Sequence, residues 1–225
     1  MSAPELVIEL DGVSVTHPGL PPVEGLAPIS LRVPRGAYTA LLGPAGSGKS
    51  TLLNLLALID APVSGEYWMC GRATARLSEV QRAHLRTTLI GLVTDEAGLV
   101  PHLSVVENVE LSMLYEDIPA GERRNRAIVA LVAVGLGGQL RAYAARLSAA
   151  ERRCAAIARA VAPRPVVLLC DEPTGGVPDE GAPAVLGALD RLHAAGHTVV
   201  VATRHPAVAD RAETVVELAR RSSLP

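Results

Sequence analysis

The chain has 225 residues, a formal net charge of −2, a hydrophobic fraction of 49% and an aromatic fraction of 2%. This length suits one large domain, or a domain with a subdomain, and argues against two unrelated domains. The balanced charge provides no overall basic field, so no nucleic-acid partner is expected. Arginine pairs such as Arg152-Arg153 instead predict solvated helix faces. Because phenylalanine is absent, aliphatic residues must build the core, which favours helices packed on a sheet.

The first third of the chain alternates strand-like runs with turns, and the leucine-rich segment at 51–59 has helical spacing. Strands are predicted at residues 6–10, 29–33, 38–42 and 89–93. The pattern then changes, and residues 95–161 predict helices alone, with starts at Ser104, near 121–124 and at Ser148. The sequence therefore predicts an inserted helical segment.

The sheet resumes after this insert. Residues 166–170 and 197–202 are continuous apolar runs, which are typical of strands buried on both faces. A helical segment follows each run, so both belong to predicted βα units. We expect one domain over residues 1–225, with a core from residues 1–94 and 162–225 and the helical subdomain between them.

The cysteines and the apolar runs bear on the compartment. Cys70, Cys154 and Cys170 are far apart and lack the spacing of metal ligands, so reduced thiols are predicted. The first ten residues lack a basic segment followed by a long apolar run, and later apolar runs are too short or too broken to span a bilayer. We therefore expect a cytosolic setting, with at most a peripheral membrane role.

The loop after the third predicted strand carries the strongest motif. The octet reads Gly43-Pro44-Ala45-Gly46-Ser47-Gly48-Lys49-Ser50, and Lys49 is the only lysine among 21 lysines and arginines. It satisfies the Walker A pattern, whose backbone amides and helix N-terminus bind phosphates. Lys49 is predicted to reach the outer phosphates, and the Ser50 hydroxyl to ligate magnesium. The alternative is a glycine-rich turn before a helix.

Two adjacent acids follow the buried strand predicted at 166–170. A phosphate loop needs a carboxylate at the end of a neighbouring strand to hold magnesium, and Asp171 is predicted to fill that role. Glu172 is predicted to orient and deprotonate the attacking water. The alternative is a polar strand end without a catalytic role.

These motifs resemble those of the nucleotide-binding subunit of ATP-binding cassette (ABC) transporters. The resemblance rests on the octet, on Asp171-Glu172-Pro173-Thr174-Gly175 and on the stretch from Leu147 to Ala160, and it covers nearly the whole chain. The run from Leu99 to Val109 and the Glu-Pro-Thr-Gly run most resemble the lipoprotein-release, macrolide-export and cell-division group of that family.

The resemblance implies an α/β fold: a P-loop NTPase core with a mainly parallel sheet, an N-terminal antiparallel β region and an inserted α-helical subdomain. It implies ATP and Mg²⁺ as cofactors, with the octet, Thr51 and Asp171 around them. It also implies a head-to-tail dimer, in which Ser148 of one subunit's signature motif meets the nucleotide of the other. A homodimer and a heterodimer with a second ABC ATPase both stay open. The implied partner is an integral membrane permease, reached from the cytoplasmic face.

The family's LSGGQ signature is altered in this chain, where residues 147–151 read Leu-Ser-Ala-Ala-Glu. Ala149 and Ala150 each add a Cβ where glycine allows close approach to phosphate. Glu151 adds a carboxylate, whose like charge is unfavourable near phosphates. A structural interpretation fits equally well, because Ser148-x-x-Glu151 is a capping box that begins a helix.

Two further positions that the family uses at the γ-phosphate are altered. Asp95 aligns with the family's glutamine; an aspartate could ligate magnesium but cannot donate a hydrogen bond as an amide does. Arg204 aligns with the family's switch histidine; it cannot act as a base but could hold a phosphate. His205, one residue later, substitutes only if the strand end shifts by one residue, and is otherwise a surface polar group.

Other alignments are less direct. Asp179 is the candidate for the acid of a loop that touches the opposite subunit, and His17 lies where an aromatic ring usually stacks on adenine, although a turn before Pro18 explains it equally well. The family implies that residues 96–102 lie beside a cytoplasmic helix of the membrane subunit. The alternative for them is an ordinary surface loop.

Three functions fit the sequence. The first is an ATP-hydrolysing subunit that drives a membrane partner, slowed by the altered positions. The second is a nucleotide-binding regulatory or structural subunit that hydrolyses little and pairs with a more complete ATPase. The third, a P-loop kinase or another cytosolic NTPase, does not explain the signature-like helix start followed by Asp171-Glu172.

Overall fold

The computed structural model describes residues 5–17 and 23–219. Its strands are β1 (Leu6–His17), β2 (Val23–Pro34), β3 (Tyr38–Leu42), β4 (Ser64–Met69), β5 (Arg72–Ala73), β6 (Ile90–Val93), β7 (Val167–Asp171), β8 (Thr198–Thr203) and β9 (Thr214–Glu217). Its helices are α1 (Lys49–Leu56), α2 (Glu79–Leu89), α3 (Val105–Glu110), α4 (Ala120–Ala133), α5 (Ala149–Val161), α6 (Ala182–Ala194) and α7 (Pro206–Ala209).

A parallel sheet forms the centre of the fold. Its strand order is β6-β7-β8-β3-β9, and every pairing in it is parallel. The carboxyl ends of β3, β7 and β8 therefore meet at one edge, where loops between strands and helices commonly form binding sites. This sheet confirms the α/β fold class that the buried apolar runs predict.

An antiparallel sheet of order β2-β1-β4-β5 covers one side of the core and confirms the predicted N-terminal β region. The sequence patterns missed β4, because half of it is exposed and no clear alternation marks it. Gly65 allows β4 to approach β1: its φ is +77°, and a Cβ there would lie 2.4 Å from the backbone oxygen of Gly12. A side chain at position 65 would therefore block the close approach of β4 to β1.

The two faces of the parallel sheet pack into two cores. Along β3, Ala40 faces the core shared with the helices after β6, whereas Leu41 faces the core shared with α1 and the antiparallel sheet. Along β8, Val199 and Val200 divide between the cores in the same way. Each fully buried aliphatic side chain contributes about 1.5–3 kcal/mol relative to exposure. Both strands are therefore buried on both faces, as predicted for β8.

The helical segment begins where its capping residues predict. Ser104 and Ser148 are the N-caps of α3 and α5, and each forms a capping box with the residue three places later. The helices of this segment share one core with the parallel sheet, so the division at residues 95 and 161 stays a prediction. In the described ranges, no helix is long and apolar enough to cross a membrane.

Helix α2 was not predicted from the sequence, whereas the state of the cysteines was. In α2 only Leu85 is buried, so no apolar stripe marks this helix in the sequence. The three cysteines are free thiols, as predicted. Burial raises the pKa of Cys154 to about 11 and that of Cys170 to about 12, whereas Cys70 is only half-buried. The two buried thiols are thus protonated and unreactive at neutral pH.

Candidate nucleotide-binding site

The phosphate loop joins the end of β3 to the start of α1, and its glycines have steric reasons. Gly46 and Gly48 have φ angles of +77° and +93°, in the left-handed region that side chains disfavour. At Gly43 a Cβ would lie 2.5 Å from the backbone oxygen of Leu218. The Gly43 amide also donates to the carbonyl of Thr203 at 3.2 Å. The loop is therefore fastened to β8 and tightly curled.

Lys49 points back into this loop. Its side chain is 6% exposed, and Nζ donates to the carbonyls of Gly43 at 2.7 Å and Pro44 at 2.9 Å. The N-cap of α1 is Gly48, which provides no side-chain cap, and the first turn contains no acid. The start of α1 thus combines a positive potential, amides without a side-chain cap and an ammonium group, which together suit an anion.

A cavity of about 300 Å³ opens between the phosphate loop and the end of β7. It is lined by Ala45, Gly46, Gly48, Lys49, Ser50, Thr51, Asp171 and Glu172. Larger cavities lie elsewhere on the surface, but none combines the loop with both acids in the described residues. The structure therefore brings together the two motifs that the sequence predicts to share one site.

Glu172 is held in an unusual backbone conformation. Its φ is +41°, in a region where a non-glycine residue costs about 1–3 kcal/mol. Its amide donates to the carbonyl of Ala202 at 2.9 Å. Its Oε2 accepts hydrogen bonds from Thr203 Oγ1 at 3.3 Å and from the Arg204 amide at 3.4 Å. The end of β8 thus fixes the direction in which this carboxylate faces the cavity.

Asp171 and Ser50 both line this cavity and provide hard oxygen donors, the chemistry that Mg²⁺ prefers. No cluster of three or more histidine, cysteine or acidic residues that could hold a metal occurs in the part of the chain that the structure describes. Mg²⁺ commonly binds through one carboxylate, substrate phosphates and water rather than in an all-protein cage. The two residues therefore fit a metal that arrives with a nucleotide.

Arg204 and His205 follow β8 but do not line this cavity. Both are exposed, and Arg204 Nε donates to His205 Nε2 at 3.3 Å. The His205 amide donates to Thr203 Oγ1 at 3.1 Å. The Arg204 side chain instead lines a neighbouring cavity of about 570 Å³, together with Gly43 and Pro44. It thus lies beside the phosphate loop, in a cavity that Asp171 does not line.

Asp95 and Ser148 are also placed apart from the cavity lining. Asp95 is exposed, and its Oδ1 accepts a hydrogen bond from the Glu96 amide at 3.0 Å. The Ser148 amide donates to Glu151 Oε2 at 2.8 Å, and the Glu151 amide donates to Ser148 Oγ at 3.2 Å. The Ser148 hydroxyl also donates to Glu151 Oε2 at 2.8 Å, and the hydrogen bonds from the Ser148 amide and hydroxyl lower the pKa of Glu151. Glu151 therefore turns back on its own helix start as a carboxylate.

The remaining predicted positions are His17, Asp179 and the segment 96–102. His17 ends β1, but its side chain lies outside the described residues. Asp179 is exposed in the turn before α6. Residues 96–99 and Pro101 line a groove of about 440 Å³ together with Arg152. The segment predicted beside a membrane subunit thus borders an open surface groove.

Sequence reasoning missed Arg153. The pair Arg152-Arg153 was predicted to be solvated, which is correct for exposed Arg152 but wrong for Arg153, whose side chain is 4% exposed. Arg153 is buried because its guanidinium donates to backbone carbonyls of two turns distant in sequence. No local pattern marks those partners, although burial of one arginine of a pair follows from the helical phase of α5.

The loop, the lysine and the two acids define a P-loop nucleotide-binding domain. Residues 26–175 match the family described as ABC transporter. An ABC transporter ATP-binding protein of Thermotoga maritima is 39% identical over 196 residues, covering 87% of this chain and 84% of that protein. The macrolide export ATP-binding/permease protein MacB 1/2 of Paracoccus denitrificans is 40% identical over 214 residues, covering 95% of this chain and 32% of that protein.

A solved structure from the same family has a similar fold. The dimeric bacterial ABC transporter cassette MJ0796 has a TM-score of 0.83 and 32% identity, covering 95% of this chain and 94% of that chain. The chain therefore belongs to the ABC transporter family, as a nucleotide-binding ATP-binding domain. It spans about a third of the length of the macrolide exporter named above.

Proposed function

We propose that this chain binds ATP with Mg²⁺ in the cavity between the phosphate loop and Glu172, hydrolyses it, and uses the cycle to drive a membrane partner. The observation that carries the proposal is the shared cavity, which Lys49 lines on one side and Asp171 and Glu172 line on the other. A bare phosphate-binding loop would need no second acid facing it. The pair provides one carboxylate for a metal and one for water.

Each residue has a defined role in this proposal. Lys49 and the amides at the start of α1 bind the outer phosphates and neutralise their charge. Ser50 and Asp171 hold Mg²⁺, which when bound supplies charge stabilisation for the transferred phosphoryl group. Glu172, oriented by Thr203, accepts the proton of the attacking water.

The partners are proposed from the relatives. MJ0796 is a dimeric cassette, and the exporter of Paracoccus denitrificans is both an ATP-binding and a permease protein. We therefore propose a dimer of ATP-binding domains on the cytoplasmic face of a membrane, with a permease-type partner on the same or another polypeptide. The groove beside residues 96–99 is the proposed contact for that partner.

A regulatory subunit with little hydrolysis is the second candidate. The observation that favours it is the start of α5, where the polar groups of Ser148 and Glu151 are engaged with each other. Ala149 and Ala150 stand where the resemblance to the LSGGQ signature implies glycine. A subunit of this kind would bind ATP in its own cavity and rely on another ATPase for turnover.

The deciding experiment is ATP turnover by the chain together with its membrane and ATPase partners. Glu172→Gln keeps the size and polarity of the side chain but removes the base, so turnover falls by about 100-fold or more while ATP binding persists. Glu66→Gln, at an exposed acid on β4, is the matched control and retains wild-type turnover. ATP binding without turnover in the wild-type complex would reject the hydrolysing subunit and favour the regulatory one.

A further inference from the structure

Arg153 is one of two charged side chains that are buried among the described residues, and the other is Lys49. A buried cation destabilises a protein unless its donors are satisfied. Burial also lowers the pKa of Arg153, although a guanidinium stays charged at neutral pH. Its contacts must therefore explain why it lies inside.

The guanidinium contacts that the structure describes are all to backbone carbonyls. Nη1 donates to the Thr94 oxygen at 2.5 Å, and Nη2 donates to the Asp95 oxygen and, at 2.9 Å, to the Gly175 oxygen. The planar fork of arginine suits this arrangement, because it presents several donors in fixed directions. A lysine ammonium has its three donors on a single nitrogen atom, so it cannot occupy the two separate positions from which Nη1 and Nη2 donate.

These carbonyls belong to two turns at the edge of the sheet where the nucleotide cavity lies. Thr94 and Asp95 follow β6, and Gly175 lies in the turn that begins at Glu172, where the Gly175 amide donates to the Glu172 carbonyl at 2.7 Å. Because β6 pairs in parallel with β7, the two turns lie side by side. One side chain from α5 therefore holds both.

Arg159, further along α5, donates hydrogen bonds only to the loop that continues from the turn after β6, among the described residues. Its guanidinium donates to the carbonyls of Ala97 at 2.8 Å and Gly98 at 2.6 Å. It is half-buried, and among the described residues its hydrogen bonds do not reach the turn after β7. Arg159 thus fastens α5 to the loop after β6, whereas Arg153 fastens α5 to that loop and to the turn of the proposed base.

We infer that Arg153 is a positioning residue that couples the orientation of α5 to the turn that carries Glu172. Movement of α5 relative to the sheet then shifts the turns at 94–95 and 172–175 together. The consequence for turnover rests on the proposed hydrolysis, but the coupling of the two turns does not. Arg153 touches neither nucleotide nor water in this account, and its effect passes through the two turns.

The test is amide hydrogen exchange of the full chain, measured for Arg153→Met, Arg153→Lys and Arg159→Lys beside the wild type. Arg153→Met removes all three hydrogen bonds, so exchange at 94–96 and 172–176 rises together, by about tenfold or more, the factor expected for one lost hydrogen bond to a charged group. Arg153→Lys gives an intermediate rise in the same two turns. Arg159→Lys raises exchange at 97–98 but leaves 172–176 unchanged.

Kinetics in the complex separate positioning from binding. Arg153→Lys lowers kcat by about 10-fold to 100-fold, because the proposed base is displaced, and leaves KM within about threefold. Arg124→Lys, at an exposed position on α4, leaves both unchanged. Exchange that rises in only one turn, or equally throughout the chain, would overturn the inference. If the wild type hydrolyses no ATP but the two turns still respond together, the hydrolysis proposal fails and the coupling stands.

Discussion

Lys49 and Arg153 are both buried cations held by backbone carbonyls, but their partners differ in distance along the chain. Lys49 bonds to carbonyls 5 and 6 residues before it, whereas Arg153 bonds to carbonyls 22, 58 and 59 residues away. The hydrogen bonds of Lys49 therefore lie within the phosphate loop and its own helix start. The contact around Arg153 exists only once three elements have packed together.

This difference separates binding from coupling. A local loop can present its ammonium and amides to phosphate without help from the helical segment, so nucleotide binding depends on few residues. The turns after β6 and β7, which the pairing of these strands places side by side, are in addition linked by one side chain of α5. Changes in the loop should therefore remove binding, and changes near α5 should alter how the site responds.

The largest effect is expected for Lys49→Ala. Loss of the ammonium removes charge-assisted contacts to the outer phosphates and raises the Kd for ATP by about 100-fold. Isothermal titration calorimetry on the purified chain measures it. Arg124→Ala, on the exposed face of α4, changes the net charge equally and leaves the Kd unchanged. An unchanged Kd for Lys49→Ala would mean that the phosphate loop does not bind the nucleotide.

A smaller effect is expected for Gly43→Ala, which tests whether the loop is as tightly fastened as the structure indicates. The added Cβ would lie 2.5 Å from the backbone oxygen of Leu218, so the loop or β9 must move. The free energy of unfolding falls by about 1–3 kcal/mol in denaturant titrations. Gly138→Ala is the control, because a Cβ there meets nothing within 4 Å and φ is not positive. Equal stability of both variants would show that the loop is loose.

The smallest effect concerns the cap of α5. Because Ser148 lowers the pKa of Glu151, the ionised carboxylate stabilises the fold above the usual glutamate pKa, and this contribution is lost as pH falls through the lowered value. Glu151→Gln removes the titrating group, so it is less stable than the wild type at pH 7 by about 1 kcal/mol or less. The difference closes in acid.

Unfolding curves from pH 7 downward measure that difference. Glu107→Gln is a second test of the same effect, because Glu107 forms a capping box with Ser104 at the start of α3 and its pKa is also lowered. Both variants should lose their deficit in acid. A deficit for Glu151→Gln that grows as pH falls would reverse the assigned sign.

The sequence predicts the features whose causes lie within a few residues. The glycine loop, the acids after β7 and the caps of α3 and α5 are of this kind, as are the apolar strands of the parallel sheet. The sequence does not predict β4 or α2, because their own residues show no clear hydrophobic pattern and partners elsewhere in the chain stabilise them. The sequence also does not predict where the side chains of Asp95 and Arg204 point, since this depends on packing around the ends of β6 and β8.

A crystal structure with Mg²⁺ and a non-hydrolysable ATP analogue would show whether nucleotide lies between the phosphate loop and Glu172. The expected density places the outer phosphates at the start of α1, with Lys49 Nζ turned toward them and the metal between Ser50 and Asp171. A nucleotide bound elsewhere, with Lys49 still hydrogen-bonded to Gly43 and Pro44, would contradict the account.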